Sequence, residues 1–290
     1  MELLWQQVAA GFASGAIYAC IALALVMIYQ AIGHVNFAQG EMAMFSTFLA
    51  WQLMQWGFSY WIAFIGAVGI SFAAGIVIDR LIFKPVRAGP VLTQIIMFVG
   101  LLTVINSVAG FIWDFTSKPF PSPFGANPLF GSWLISTHQA VMIAVTFMLL
   151  LYGFFRYTRV GLAMQSAAEN PASAKLVGIR VEWMIALGWG MAASIGAVAG
   201  LLIAPIVFLE PNMMLGILLY GFAAAVLGGL SSPGGAVFGG FAVGIIENLS
   251  GIFIPVVGAE MKLTIALLII ISVLVIKPTG LFSVNQAERV

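Results

Sequence analysis

The chain has 290 residues, 62% of them hydrophobic and 7% charged, with a net charge of +1. A soluble domain carries about 25% charged residues, so the material for a water-facing surface is missing, and the near-neutral balance offers no field for nucleic acid. A mean hydropathy of +1.10, with repeated apolar runs of about 20 residues, predicts an all-α integral membrane protein set in lipid.

The runs are continuous and lack the alternation of a barrel strand. The first spans roughly 4–29 with no basic residue ahead of it, which predicts a retained helix rather than a signal peptide. Further spans are expected at 36–56, 61–79, 92–113, 138–155, 183–208, 213–230, 235–250 and 259–276. The total is about eight or nine transmembrane or re-entrant helices, each near the length a bilayer requires. Gly, Pro and Asn inside 36–56 and 213–250 mark those two as broken or re-entrant, a backbone tolerated only against protein or a water-filled cavity.

All but two of the eleven basic residues cluster. Arg80, Lys84 and Arg87 follow the third span, Arg156, Arg159, Lys175 and Arg180 lie between the fifth and sixth, and Lys277 and Arg289 form the tail. The positive-inside rule puts these clusters, and the C-terminus, in the cytoplasm. Lys118 and Lys262 then fall outside, and an odd number of spans leaves the N-terminus outside too. The stretch 114–137, with Lys118-Pro119-Phe120-Pro121-Ser122-Pro123-Phe124, predicts an irregular external cap or docking surface, or else a plain connecting loop.

Segment 156–182 is the longest polar stretch. Val160 to Glu169 reads as a short helix, and Asn170-Pro171 stops it and starts another, because Asn caps and Pro is pre-set for the first helical position. The second helix, Ala172 to Val177, should end at Gly178. Two short helices of small residues fit a groove on another protein, although an amphipathic loop on lipid headgroups has the same composition. Asn170-Pro171-Ala172 also spells the tripeptide of water channels, but it occurs once, in a polar loop, rather than on paired apolar half-helices.

Ionisable residues inside a membrane are costly and point to function. Glu41 follows Asn36-Phe37-Ala38-Gln39-Gly40, Asn106 sits in the fourth span, and Glu247-Asn248 closes the eighth. These residues either line a translocation path or tie helices together. Gly11/Gly15, Gly196/Gly200, Gly235/Gly239 and Gly240/Gly244 have the spacing of close helix packing. The run Gly228-Gly229-Leu230-Ser231-Ser232-Pro233-Gly234-Gly235 predicts a tight turn. No lysine follows a glycine, so there is no phosphate-cradling loop, and no H-E-x-x-H occurs beside the two histidines, His34 and His138. Cys20 stands alone, which rules out an intrachain disulfide. Neither an enzyme nor a cofactor is expected.

Four segments together resemble the permease subunits of branched-chain amino-acid ABC transporters, the LivH-like kind. They are Gly15-Ala16-Ile17-Tyr18-Ala19 leading to Asn36–Glu41; Thr158–Ala163 through Leu176-Val177-Gly178-Ile179; Ala223–Gly229 with Pro233-Gly234-Gly235-Ala236 and Gly239-Gly240; and Lys277-Pro278-Thr279-Gly280-Leu281-Phe282. The resemblance implies an ABC-importer permease architecture forming a single permease domain over 1–290 in the bacterial inner membrane, surrounded by lipid. It implies a LivM-like second permease, two ATP-binding subunits (LivG-like and LivF-like) and an external solute-binding protein. It makes Arg159, Gly161, Ala163, Ala167, Ala168, Ala174 and Gly178 the ATPase-coupling set, and Asn36, Gln39, Glu41, Asn106, Glu247 and Asn248 the translocation-path candidates. Gln39 stands where the family often has histidine and Ser283 where it often has glycine. The first departure bears on substrate, since the family also handles urea, amides and aromatic acids. From the residues alone, a stand-alone secondary transporter or channel remains the alternative.

Overall fold

The computed structural model describes residues 2–87, 89–123, 144, 145, 148, 151–253 and 261–282. Most of the span expected at 138–155, the stretch 114–137 beyond residue 123, and the tail with Ser283 and Arg289 lie outside the described residues. Within them the regular elements are helices: α1 Glu2–Ile32, α2 Gln39–Gln55, α3 Tyr60–Ile78, α4 Val91–Trp113, α5 Arg159–Glu169, α6 Pro171–Leu176, α7 Val181–Val207, α8 Met214–Gly228, α9 Pro233–Phe253 and α10 Lys262–Ile276. A further helix precedes α5 over 151–157. Five of the described helices are long and apolar enough to cross a membrane, and α8 and α10 are shorter apolar helices.

The centre is α1, buried on every face from Gly15 to Ile28 and enclosed by α7, α8 and α9. A helix that is apolar all round belongs in such a place. Its crossing with α9 is backbone on backbone. A Cβ at Gly11 would stand 2.7 Å from Cα of Ile245, one at Gly15 would stand 2.8 Å from Cα of Phe241, and Gly240 and Gly244 meet α1 in the same way. The predicted glycine spacing is therefore packing. By contrast α3 and α4 turn Ile62, Ile65, Ile96, Val99 and Val104 outward, a surface for a hydrocarbon solvent rather than for water.

Two expectations need correction. The third span does not stop at 79. It continues through a π turn, Asp79–Phe83, and on over Lys84–Val86. The charges there have partners in the chain: Asp79 pairs with Arg87 in the interior, the exposed Lys84 Nζ reaches Glu182 Oε2 at 2.7 Å, and Arg80 lies 3.9 Å over the Trp183 ring. Beneath them Phe83 packs between Phe98 and Trp189, with ring centroids 4.5 and 4.6 Å away. Nor does Glu247 close its helix, because α9 runs on to Phe253 and leaves Glu247 in its interior.

The turn predicted at 228–235 occupies Gly229 to Ser232. The C-terminal segment covers it: the Leu281 and Phe282 N–H groups donate to the carbonyls of Leu227 and Gly228. Gln30 at the end of α1 donates to the Ser231 carbonyl at 2.8 Å, so the close of α1, this turn and Lys277 gather at one end of the bundle.

Candidate translocation and coupling sites

After α1 the chain turns at Gly33 (φ +76°) and folds back into the bundle. Asn36, fully buried, accepts the Ala38 N–H at 3.0 Å through Oδ1 and so builds the turn into α2. Gln39, equally buried, donates through Nε2 to the Ala192 carbonyl of α7 at 2.9 Å. Ala192 lies eleven residues beyond Val181, or about 16 Å along the helix axis. The chain therefore re-enters the protein interior at the turn before α2, while α2 itself runs unbroken from Gln39 to Gln55, so the break expected within 36–56 is confined to that turn. Gln39 ties α2 to α7, and Asn36 holds the turn that leads into α2.

Glu41 is different. Its side chain is 2% exposed and accepts from Asn106 Nδ2 at 3.1 Å. The same nitrogen lies 3.1 Å from the Pro211 carbonyl and 3.2 Å from Asn212 Oδ1. Pro211 and Asn212 belong to the link between α7 and α8, and no local sequence signal singles them out. That link is pinned by a backbone bridge in which Lys118 and Leu209 exchange both N–H···O bonds at 2.9 Å. The helices flanking the bridge end at Asp114 and Phe208, both at φ 64° with ψ beyond 150°, a conformation costing about 1–3 kcal/mol in a residue with a side chain.

Glu247 and Asn248 form a second group on α9. Tyr18 of α1 donates its phenol to Glu247 Oε2 at 2.7 Å and stacks on Tyr220 with centroids 4.8 Å apart. Asn248 donates to Ser14 Oγ at 3.3 Å and to the Gly244 carbonyl at 2.9 Å. Among the described residues no hydrogen bond joins this group to Glu41. Tyr18 and Ser14 lie 229 and 234 positions from their partners on α9, so nothing local in α1 announces either contact.

In segment 156–182, Thr158 caps α5 by accepting the Gly161 N–H at 3.0 Å, and Asn170 Oδ1 caps α6 by accepting the Ser173 N–H at 3.0 Å. Gly178 adopts φ +84° and ends the pair, as the sequence predicts. The small residues, however, face mostly inward. Ala167 and Ala174 pack with Val181 against Ile179, Met184 and Ile185, and Gly161 sits on the backbone of Phe154 and Phe155. Ala163 is half-buried. Ala168 is also half-buried and lines an apolar cavity of about 300 Å³ with Met27, Met164 and Met184. Arg159 is exposed, and the large apolar groups facing out are Val160 and Leu162 and, most fully, Leu176 (89% exposed) and Val177 (76%).

The family model "Branched-chain amino acid transport system / permease component" matches residues 7–274. The high-affinity branched-chain amino acid transport permease LivH of Salmonella typhimurium is 34% identical, with 98% of this chain and 97% of the relative covered. BraD of Pseudomonas aeruginosa is 29% identical over the same shares. A probable LivH of Methanocaldococcus jannaschii is 26% identical, over 91% of this chain and 88% of that one. Among solved structures, PsaBC from Streptococcus pneumoniae in complex with Fab superposes with a TM-score of 0.51 at 13% identity, covering 93% of this chain and 91% of that one, a likeness of fold alone. With the family model spanning nearly the whole sequence, the chain belongs to the permease components of branched-chain amino-acid transport systems, which are multi-pass membrane transport subunits and not enzymes.

Proposed function

We propose that this chain forms half of the translocation path of an ATP-driven importer for branched-chain or related hydrophobic amino acids. Its partners are a LivM-like second permease, LivG-like and LivF-like ATP-binding subunits, and an external solute-binding protein. Residues 1–290 act as one permease domain in the inner membrane. The C-terminus is cytoplasmic, because the clusters at Arg80–Arg87 and Arg156–Arg180 and the residue Lys277 would then all meet the cytoplasmic face.

The observation that carries this reading is the pair α5–α6. It is fastened from within by Ala167, Ala174 and Val181, yet it presents Leu176 and Val177 to the outside. Exposed large apolar groups at a polar end of the bundle suit a protein partner, and the absence of a phosphate-cradling motif in this chain calls for one that binds ATP. A stand-alone transporter is not favoured, since the relatives that match over their whole length carry the description of transport-system components.

The test is co-expression of the chain with its partner subunits. Expected is a complex that hydrolyses ATP and drives leucine uptake into proteoliposomes, while the chain alone hydrolyses none. Robust hydrolysis by the isolated polypeptide would overturn the assignment.

A further inference from the structure

We infer that Glu41, Asn106 and Asn212 form a binding site for the α-ammonium group of the amino acid in transit; this rests on the importer reading above. Glu41 lies in the first turn of α2 and is 2% exposed. Among the described residues the ion pairs are Lys84 with Glu182 and Arg87 with Asp79, and no cation reaches Glu41. A buried carboxylate without a counter-charge is costly unless something supplies one. The hydrogen-bond inventory is unbalanced in the same direction. One amide nitrogen, Asn106 Nδ2, faces Glu41 Oε2, the Pro211 carbonyl and Asn212 Oδ1 at 3.1–3.2 Å. An amide nitrogen has only two hydrogens, whereas a carboxylate alone accepts several bonds.

The three acceptors thus share one donor nitrogen and, among the described residues, have no positive charge beside them. An ammonium supplies donors and charge, with three N–H groups on one cationic centre. The site is also reachable: Asn106 is half-buried and Asn212 exposed, so one side of the acceptor cluster is open. It lies about 10 Å along α4 from the helix end at Trp113. The bridge between Lys118 and Leu209 holds the Pro211 carbonyl and Asn212 against α4 without a helix of their own. A plain tie between α2 and α4 would need no charge, because glutamine at position 41 would make the same bond to Asn106. That difference is what the experiment reads.

The whole importer, with its binding protein, is reconstituted in proteoliposomes, and uptake of radiolabelled leucine is measured beside ATP hydrolysis and subunit recovery. Glu41→Gln should assemble and hydrolyse ATP while uptake falls about tenfold or more, as for loss of a charge-assisted hydrogen bond. The double variant Glu41→Gln with Asn106→Asp moves the carboxylate across the cluster and should regain most of the uptake. Asn212→Lys, at an exposed position that does not threaten folding, puts a tethered ammonium beside the same acceptors and should block uptake in an assembled complex. Full uptake by Glu41→Gln, or by Asn212→Lys, overturns the site, and so does an assembled double variant that stays inactive. Uptake by the unmodified complex that collapses in buffer free of sodium and potassium overturns it too, in favour of a metal cation. If the unmodified complex hydrolyses ATP and takes up no leucine, the importer reading falls and the site with it; uptake by that complex beside a fully active Glu41→Gln removes the site alone.

Discussion

The phenol of Tyr18 donates to Oε2 of Glu247 at 2.7 Å, joining α1 to α9 across 229 positions of sequence. The ring also stacks on Tyr220 of α8, so one side chain fastens three helices. Tyr18→Phe keeps the stacking and removes the donor. It should cost about 1–3 kcal/mol, the penalty for leaving a buried acceptor unsatisfied, read as a lower Tm of the purified complex in detergent. The double variant Tyr18→Phe with Glu247→Leu should lie closer to the unmodified protein than the sum of the single changes, because both polar partners are then gone.

The crossing of α1 and α9 gives a sharper contrast. Gly15→Ala places a methyl group 2.8 Å from Cα of Phe241, and backbone cannot move aside as a side chain can. Overpacking of this kind costs about 1–3 kcal/mol, so folded yield should fall. Gly100→Ala in α4 meets nothing within 4 Å and should leave yield unchanged or raise it, since alanine is the better helix former. Size-exclusion profiles of the two variants, expressed side by side, check this.

Coupling should depend on the outward groups of α6. Leu176→Asp with Val177→Asp should leave insertion intact, because exposed substitutions usually stay within about 0.5 kcal/mol, yet lower recovery of the ATPase subunits and uptake together. Ala174→Asp, at a position packed against Val181, should instead lower the yield of the permease itself. A pull-down beside an uptake assay separates the two effects. Unchanged recovery and uptake with both aspartates in place would mean that this end of α6 does not meet the ATPase.

Orientation has a direct check. Cys20 is fully buried, so Cys20→Ala gives a background with no reactive thiol among the described residues. Lys118→Cys should then react with an impermeant external reagent in intact cells, and Arg159→Cys should react only after the membrane is opened. Labelling of position 159 from outside would invert the topology.

How far local sequence reaches is visible in particular residues. The fourth span, the turn at Gly229 to Ser232 and the cap Asn170 follow from hydropathy and turn chemistry, which act over a few neighbours. The end of α3 does not. Arg80, Lys84 and Pro85 look like a loop, and they continue the helix only because Asp79, Glu182 and Trp183 receive the charges. In α5 and α6 the small residues are legible but not the direction they face. Alanine suits a groove on a partner and a close approach to α7 equally well, and tertiary packing chooses. Glu41 and Asn106 stand out as polar groups in apolar runs. Asn212 does not, since it is placed by a bridge from Leu209 to Lys118, more than ninety positions earlier.

The burial of α1 has a consequence for how the protein is made. Every helix that encloses it lies later in the chain, so during synthesis α1 must stand among lipids until α7, α8 and α9 arrive. Its interior stretch is apolar on all sides, which makes acyl chains an acceptable temporary neighbour. The Tyr18 hydroxyl has no partner until Glu247 is inserted. A chain interrupted before α9 would thus leave its middle helix orphaned in the bilayer, with the glycine face of Gly11 and Gly15 open. Such unpaired packing surface is what makes an incomplete chain prone to wrong association.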